Sequence, residues 1–220
     1  SASPFAFYSL ARDGDGVLWV ARGEQLWRWD GARFEVVDVD LQGSVRKLQT
    51  DRWGRLWICS AGGALGRDGD RFQAFTVDDG LSHPHVNSVC ADCEGQLWFA
   101  TWGGGVCCFD PAGCHAPYGP GTEYAGEVWS LVADGEGVRW GGLRRRQTYA
   151  QGTVPSYLGR WQQGRAVESE GGLETVGWWP PALASDGAGG VWFGLSSGLY
   201  HEGRSGCVRV YPAEEEGFSP

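Results

Sequence analysis

A seven-residue pattern, Asp-x-x-Gly-x-x-Trp, occurs five times in this chain of 220 residues. The copies run over residues 13–19, 51–57, 92–98, 134–140 and 186–192. Their aspartates lie 38, 41, 42 and 52 residues apart. Similarity at a fixed period indicates a repeat architecture in which each unit packs on its neighbours. The repeating unit therefore has about 40 residues, and the fourth unit carries an insertion.

Each copy of the motif predicts two strands joined by a tight turn. The aspartate side chain caps its own turn, and the glycine supplies the left-handed residue that a bulged hairpin requires. Apolar residues alternate before the turn, and a strand such as Leu56-Trp57-Ile58 follows it. A third strand is predicted at Gln25 to Trp29, and a second turn at Asp30-Gly31 leads into a fourth. The unit is therefore a four-stranded antiparallel sheet.

A sheet of this size has two faces to cover, and radial repetition covers both by packing each sheet on its neighbours. The predicted fold class is all-β: one β-propeller domain of five four-stranded antiparallel blades, with each motif tryptophan as a wedge between blades. The domain covers residues 1–220, with blades at 5–42, 43–82, 83–125, 126–172 and 173–212 and an acidic tail at 212–220. A five-blade fragment of a larger propeller is the alternative.

The second and third units carry the clearest family signature. The run Asp79-Gly80-Leu81-Ser82 leads through Val86-Asn87-Ser88-Val89 to the motif of residues 92–98 and then to Gly104-Gly105-Val106. This text resembles the two-component-regulator propeller repeat, and the resemblance covers most of the chain. It implies a place in the periplasmic or extracellular sensor region of a larger bacterial protein, where such propellers help to detect glycans; a cytoplasmic location stays open. The resemblance implies no catalytic residue, because the signature consists of fold-forming positions.

Charge and hydropathy exclude two classes of partner. The formal net charge is −9 and the pI is near 4.9, whereas nonspecific nucleic-acid binders need a basic face to neutralise phosphates. No apolar run approaches the roughly 18 residues of a membrane-spanning helix. We therefore expect neither nucleic-acid binding nor membrane insertion.

One face of a propeller is expected to bind ligands. The loops between second and third strands, and those between an outer strand and the next inner strand, lie together around the central channel. The following residues fall in these loops and linkers: Arg22, Glu24, Ser60, Thr101, Trp102, Arg144, Arg145, Arg146, Ser196, Ser197, His83, His85, Glu127, Trp178 and Trp179.

Some of these residues break the repeat and are not required by the fold. Tryptophan and arginine anchor many interfaces, and tryptophan also stacks on sugar faces. The predicted binding residues are Trp102, Arg144, Arg145, Trp178, Trp179, His83 and His85. The alternative interpretation is that the tryptophans fill gaps beside the insertion and that the arginines form a solvated turn.

Cysteine and histidine are concentrated in the third unit. The group comprises His83, His85, Cys90, Cys93, Cys107, Cys108, Cys114 and His115. The Cys90-x-x-Cys93 pair has a zinc-like spacing, but the second half of a zinc motif is missing. Cys90 and Cys107 belong to strands two apart, too far for a disulfide. We therefore expect buried free thiols, with no metal and no cofactor. The alternative is a metal or a bridge that joins Cys93 to Cys114 or His115, which are predicted to lie in turns on the same rim.

Together these features predict a non-catalytic recognition or sensing module that binds a protein partner or a glycan-like ligand on the loop face. An enzyme of the lyase type is the first alternative, and it needs a histidine and carboxylate pair with a divalent metal. His83, His85 and Glu127 are the residues available for it. A lectin with one sugar site in each blade is the second alternative, but the loop residues differ from unit to unit.

Overall fold

The computed structural model describes residues 8–110, 113–118, 126–134, 137–143, 156–162, 165–168, 182–195, 198–203 and 206–212. Within these ranges the chain forms five antiparallel sheets of four strands, and the strands of each sheet follow one another in chain order. The predicted all-β class is confirmed. No helix in these ranges has the length and apolarity needed to cross a membrane.

The sheets are numbered 1 to 5 along the chain. Sheet 1 contains β1 (Tyr8–Arg12), β2 (Leu18–Arg22), β3 (Gln25–Trp29) and β4 (Phe34–Val37). Sheet 2 contains β5 (Val45–Thr50), β6 (Leu56–Ser60), β7 (Ala64–Asp68) and β8 (Arg71–Phe75), and a 3-10 turn follows at Val77–Asp79. Sheet 3 contains β9 (Val86–Ala91), β10 (Leu97–Thr101), β11 (Gly105–Asp110) and β12 (Gly113–Tyr118). Sheet 4 contains β13 (Glu127–Asp134), β14 (Gly137–Leu143), β15 (Ser156–Gln162) and β16 (Arg165–Glu168). Sheet 5 contains β17 (Ala182–Ser185), β18 (Val191–Leu195), β19 (Gly198–Gly203) and β20 (Gly206–Pro212).

The motif aspartate holds both the turn and the tryptophan. In sheet 3, Asp92 Oδ1 accepts the backbone N–H groups of Glu94 and Gln96 at 2.9 Å, and its Oδ2 accepts the indole N–H of Trp98 at 2.8 Å. The turn itself is closed by the N–H of Gly95, which has φ 90° and donates to the Asp92 carbonyl. The same pair of contacts is made by Asp13 with Val17 and Trp19, and by Asp51 with Arg55 and Trp57.

The fifth motif is held differently. Asp186 accepts the N–H groups of Ala188 and Gly190, but its second oxygen lies 2.8 Å from Nε2 of His201. Trp192 is only half-buried and packs on the His201 ring at 4.5 Å. The Ala188 N–H, followed by His201, lowers the pKa of Asp186 to about 2. A lowered carboxyl pKa adds stability above its unfolded value near 4, and that stability is lost as the pH falls towards 2.

Consecutive sheets pack face to face through apolar clusters. The motif tryptophans of sheets 1 to 4 are at most 2% exposed and lie in these clusters. The first strands of neighbouring sheets contact one another, β1 with β5, β5 with β9, β9 with β13 and β13 with β17. Between sheets 4 and 5, Arg139 replaces the usual leucine before the tryptophan and forms a 2.9 Å ion pair with Glu202. The described strands show no comparable contact between sheet 5 and sheet 1.

None of the described residues covers one apolar face of sheet 1. Leu10, Val20, Trp27 and Val36 are direct cross-strand neighbours and share this face. Leu10 is 62% exposed and Val36 is 66% exposed. The opposite face, which carries buried Trp19, packs on sheet 2. An exposed apolar surface of this kind marks a contact region.

We predict that Asp92→Asn lowers the free energy of unfolding by about 1–3 kcal/mol, because one amide cannot accept from both the turn and the indole, and a buried donor is left unpaired. Urea unfolding measures the change. Asp68→Asn is the matched control, since Asp68 is exposed in a hairpin turn and surface changes stay within about 0.5 kcal/mol. In a Trp98→Phe background the Asp92→Asn cost should shrink, because the indole donor is gone. An equal cost in both backgrounds contradicts the coupling.

Candidate ligand-binding site

A cavity of about 560 Å³ opens where the first strands of sheets 2, 3 and 4 begin. The antiparallel order places these strand starts at the same end as the β6–β7 and β10–β11 turns, and the motif turns lie at the other end. We call this space the bulge cavity. It is lined by Ser44, Val45, Arg46, Lys47, Ala61, Asn87, Trp102 and Trp129. The end of the sheets that carries it is the one that sequence analysis predicted for binding.

Three β-bulges supply the central residues of the cavity wall. The pairing of β5 with β6 shifts between Val45 and Lys47, which leaves Arg46 as the extra residue. The pairing of β9 with β10 skips Asn87, and that of β13 with β14 skips Trp129. A bulge breaks the alternation of a strand and re-aims a side chain. Equivalent bulges in three consecutive sheets thus direct an arginine, an asparagine and a tryptophan to one space.

The bulge residues occupy one position in the repeat. Arg46, Asn87 and Trp129 each lie five residues before the motif aspartate. The residue just before each of them is a buried valine, at 45, 86 and 128, exposed by 8%, 0% and 0%. The valine stays in the core and anchors the strand, while the next side chain lines the cavity. The chemistry of that side chain therefore changes between repeats without a change in the core.

Trp102 forms the aromatic wall of the cavity. Its ring lies 5.2 Å from that of Trp129, and the Arg46 guanidinium carbon lies 4.7 Å from its centroid. The Trp102 backbone N–H donates to the His85 carbonyl at 2.9 Å, and Glu127 pairs with Trp102 in an isolated bridge. These backbone contacts hold the indole at the junction of sheets 3 and 4.

The two histidines predicted to bind pack next to Trp102 and do not line the cavity themselves. The His83 and His85 rings are 5.2 Å apart, and His85 lies edge-on to Trp102 at 6.2 Å. Gly104 permits this packing, because a Cβ there would lie 2.6 Å from Ser82 Oγ and 2.8 Å from His83 Cβ. The structure therefore brings His83, His85 and Trp102 together, and their role in binding stays a prediction.

Three polar atoms of the bulge residues have no hydrogen-bond partner among the described residues: Asn87 Oδ1, Arg46 Nε and Trp129 Nε1. Asn87 is 4% exposed, and its Nδ2 donates to the Val128 carbonyl at 2.8 Å. This bond fixes the amide, so the unpaired atom is the acceptor oxygen. Buried polar atoms without partners are rare and costly. Their concentration at one cavity indicates a site that a bound molecule completes.

Of the described residues that line the cavity, two are cationic and none is acidic. Within the described residues neither Arg46 nor Lys47 forms an ion pair; Lys47 Nζ donates to Ser88 Oγ at 3.3 Å. Burial lowers the pKa of Arg46, and the charge of Glu127 opposes this change. A partly desolvated guanidinium without a carboxylate partner favours an anion as its neighbour.

Ser60 and Thr101 were predicted to lie in loops of the binding face, but in the structure they stabilise turns. Both are fully buried, and their hydroxyls donate to the carbonyls of Gly63 and Gly105 within their own turns. They hold the β6–β7 and β10–β11 turns and do not line the cavity.

Lys47, which lies four residues before its motif aspartate, lines the cavity and was not among the predicted site residues. Sheets 1 and 3 have Ser9 and Ser88 there, and each serine oxygen accepts a backbone N–H from the next sheet. An ammonium group cannot accept such a bond. Aligning the repeats over the residues just before the motif identifies this position and its neighbour Arg46.

The remaining predicted site residues lie outside the described ranges: Arg144, Arg145, Arg146, Trp178, Trp179, Ser196 and Ser197. Glu24 is exposed in the β2–β3 turn and Arg22 is half-buried at the end of β2. Within the described part of the chain, no three His, Cys, Asp or Glu side chains are grouped as a metal site requires.

The cysteines whose side chains are described are free thiols, namely Cys59, Cys90, Cys93, Cys107 and Cys108. Burial raises the pKa of Cys59 to about 12 and raises that of Cys90 further. Cys93 is exposed in the motif turn of sheet 3. Trp98 pairs with both Cys90 and Cys108 across neighbouring strands, which separates β9 from β11 as predicted.

No protein-family model and no curated protein matches this chain. Its fold is similar to that of the extracellular domain of BT4673, a hybrid two-component system of B. thetaiotaomicron, with a TM-score of 0.58 and 16% identity over 97% of this chain and 34% of that one. PorZ, a surface component of the type-IX secretion system of Porphyromonas gingivalis, gives a TM-score of 0.63 and 13% identity over 96% and 36%. The gluconolactonase XC5397 of Xanthomonas campestris gives 0.60 and 12% over 95% and 77%.

The chain spans about a third of the length of the first two of these structures. Identities of this size establish the fold alone. The chain has a β-propeller-like all-β fold, which it shares with extracellular domains of two-component systems. The resemblance stated from the repeats is confirmed at this level.

We predict that iodoacetamide at pH 8 modifies Cys93 in the folded protein and leaves Cys59 unmodified. Burial raises the pKa of Cys59 to about 12, so only about one part in ten thousand of this thiol is ionised at pH 8. Peptide mapping by mass spectrometry follows each cysteine separately. Cys93→Ser should remove the fast reaction, and unfolding in denaturant should expose the buried thiols. Equal rates at Cys59 and Cys93 in the folded protein contradict this assignment.

Proposed function

We propose that this chain is a non-catalytic recognition module that binds a ligand in the bulge cavity. One observation carries the proposal: bulges in three consecutive sheets direct Arg46, Asn87 and Trp129 to the same space, and each has a polar atom without a partner among the described residues. Stability alone does not favour this arrangement, because each unpaired buried atom costs free energy. A ligand that pairs with these atoms offsets that cost.

The site is composite, and this feature separates a single-ligand module from a repeated lectin. Equivalent positions of the three sheets carry three different side chains, so each sheet contributes one kind of contact. A volume of about 560 Å³ lies in the range of small-molecule pockets. A small ligand fits this concave shape better than a protein surface does. A sensing role for a larger multidomain protein follows by fold analogy.

The five sheets are, in this proposal, five blades of one propeller, and the apolar face of sheet 1 packs against a further blade. Sheets 2 to 4 support this idea, because the equivalent face of each is covered by the sheet before it. Sheet 5 supplies the cover in a closed five-blade ring, and another repeat supplies it in a longer propeller.

Val36→Glu tests how the ring closes. Val36 is 66% exposed in the structure, so only closure of the ring by sheet 5 predicts that this change lowers the free energy of unfolding of the 220-residue chain by about 1–3 kcal/mol, because closure buries the charge. Val77→Glu, at an exposed valine outside the sheets, is the matched control and should have little effect. Equal stability of the two variants means that this chain leaves the face open and that a longer propeller covers it.

Trp102→Ala tests the binding site. A thermal-shift screen of neutral, cationic and anionic small molecules and oligosaccharides first identifies a binder, and isothermal titration calorimetry gives its Kd. We expect Trp102→Ala to weaken that Kd at least tenfold, about 1.4 kcal/mol, because the aromatic wall is lost, and to change Tm by only a few degrees. Trp53→Ala is the control, since Trp53 is 54% exposed at the opposite end of the sheets. Binding that is indifferent to Trp102 contradicts the proposed site.

A further inference from the structure

We propose that the ligand of the bulge cavity is a singly charged carboxylate that also carries an N–H or O–H donor and a flat or apolar body. This inference rests on the proposed function and names the chemistry of its ligand. It combines four observations about the cavity. Two cations there form no ion pair among the described residues, the local charge is near plus one, the Asn87 Oδ1 acceptor lacks a donor, and part of the wall is apolar.

Two cationic side chains at the cavity wall favour an anionic ligand. The chain has a net charge of −9, yet the described residues that line the cavity include Arg46 and Lys47 and no acidic side chain. Among the described residues the Arg46 side chain makes no hydrogen bond, and its guanidinium packs on the Trp102 ring. Its donors are therefore free to meet a planar anion, for which the guanidinium fork is suited.

The local charge then selects the kind of anion. Glu127 acts electrostatically on Arg46 and offsets one of the two positive charges. The sum of Arg46, Lys47 and Glu127 is close to plus one. A carboxylate carries one negative charge, whereas a phosphate monoester carries nearly two at neutral pH. The carboxylate leaves the cavity neutral, and the phosphate leaves a second charge without a partner in a partly desolvated space.

Asn87 and Trp129 add a donor and acceptor requirement. The Asn87 amide is fixed by its bond to the Val128 carbonyl, so its free Oδ1 accepts a hydrogen bond and gives none. The indole N–H of Trp129 is a donor that needs an acceptor. A matching ligand offers one N–H or O–H group to Asn87, and oxygen acceptors to Trp129 and Arg46.

The rest of the wall describes the body of the ligand. Val45, Ala61, Trp102 and Trp129 present apolar surface to the cavity. The two indole rings are tilted by 49°, so a flat ring can pack on one of them or an aliphatic body can fill the angle between them. A very polar body would lose its hydration against this wall and gain little in return.

Indole-3-acetate meets all of these requirements and serves as the probe. Its neutral analogue is indole-3-acetamide, its cationic analogue is tryptamine, its dianionic analogue is 3-indoxyl phosphate, and its analogue without the N–H donor is 1-methylindole-3-acetate. Calorimetry on the full chain should show that indole-3-acetate binds at least tenfold tighter than the amide and tighter than the phosphate. The 1-methyl compound should lose about tenfold, because Asn87 Oδ1 stays unpaired.

The matched variants are Arg46→Gln and Arg52→Gln. Arg52 packs on Trp53 at 5.6 Å, so it forms an arginine–tryptophan pair like that of Arg46 and Trp102 but away from the cavity. Arg46→Gln should weaken indole-3-acetate by about tenfold or more and leave the amide unchanged, and Arg52→Gln should change neither. If Arg46→Gln does not fold, the ligand series alone decides the question.

The outcomes separate this inference from the proposed function. The carboxylate inference is overturned if the amide, tryptamine or the phosphate binds as tightly as indole-3-acetate. It is also overturned if no acid binds while a neutral compound from the screen does so in a manner that depends on Trp102; the recognition function then stands. The recognition function itself fails if every binder is indifferent to Trp102.

Discussion

The carboxylate of the motif aspartate connects local structure with packing. One oxygen accepts the N–H of the residue four positions on and shapes the turn, and the other accepts the indole N–H of the tryptophan six positions on. The tryptophan is the largest side chain in the contact between sheets, so one residue determines both where two strands meet and how the wedge points. This explains why Asp, Gly and Trp recur at a fixed spacing while the residues between them vary.

Sheets 4 and 5 indicate what happens when this arrangement is changed. In the fifth motif His201 takes the place of the indole at Asp186, and Trp192 packs on the histidine ring outside the described apolar clusters. The junction between the two sheets also contains a buried ion pair, Arg139 with Glu202. A buried ion pair is weak evidence for stability, because desolvation of the two charges offsets their attraction. The contact between sheets 4 and 5 therefore includes a polar pair, whereas the contacts from sheet 1 through sheet 4 are made by apolar wedges.

The period of the motif predicted the four-stranded sheets, because turn chemistry and alternation are local properties of the chain. It did not predict the bulges, since a bulge is a mismatch in pairing between two strands and neither strand reveals it alone. Arg46, Asn87 and Trp129 were therefore not among the predicted residues, whereas Ser60 and Thr101 were placed on the binding face from loop position alone. Trp102 was selected because it interrupts the repeat, which is visible in one sequence, and its role in binding stays a prediction.

The position of Lys47 gives an independent reason to place function at the bulge cavity. Packing between sheets favours serine there, because Ser9 and Ser88 each accept a backbone N–H from the next sheet. Lysine cannot make this bond, so sheet 2 lacks a contact that its neighbours have and carries a cation at the cavity wall in its place. At this position Lys47 departs from the packing pattern of the repeat and adds a charge beside Arg46, and such local departures are expected at functional sites.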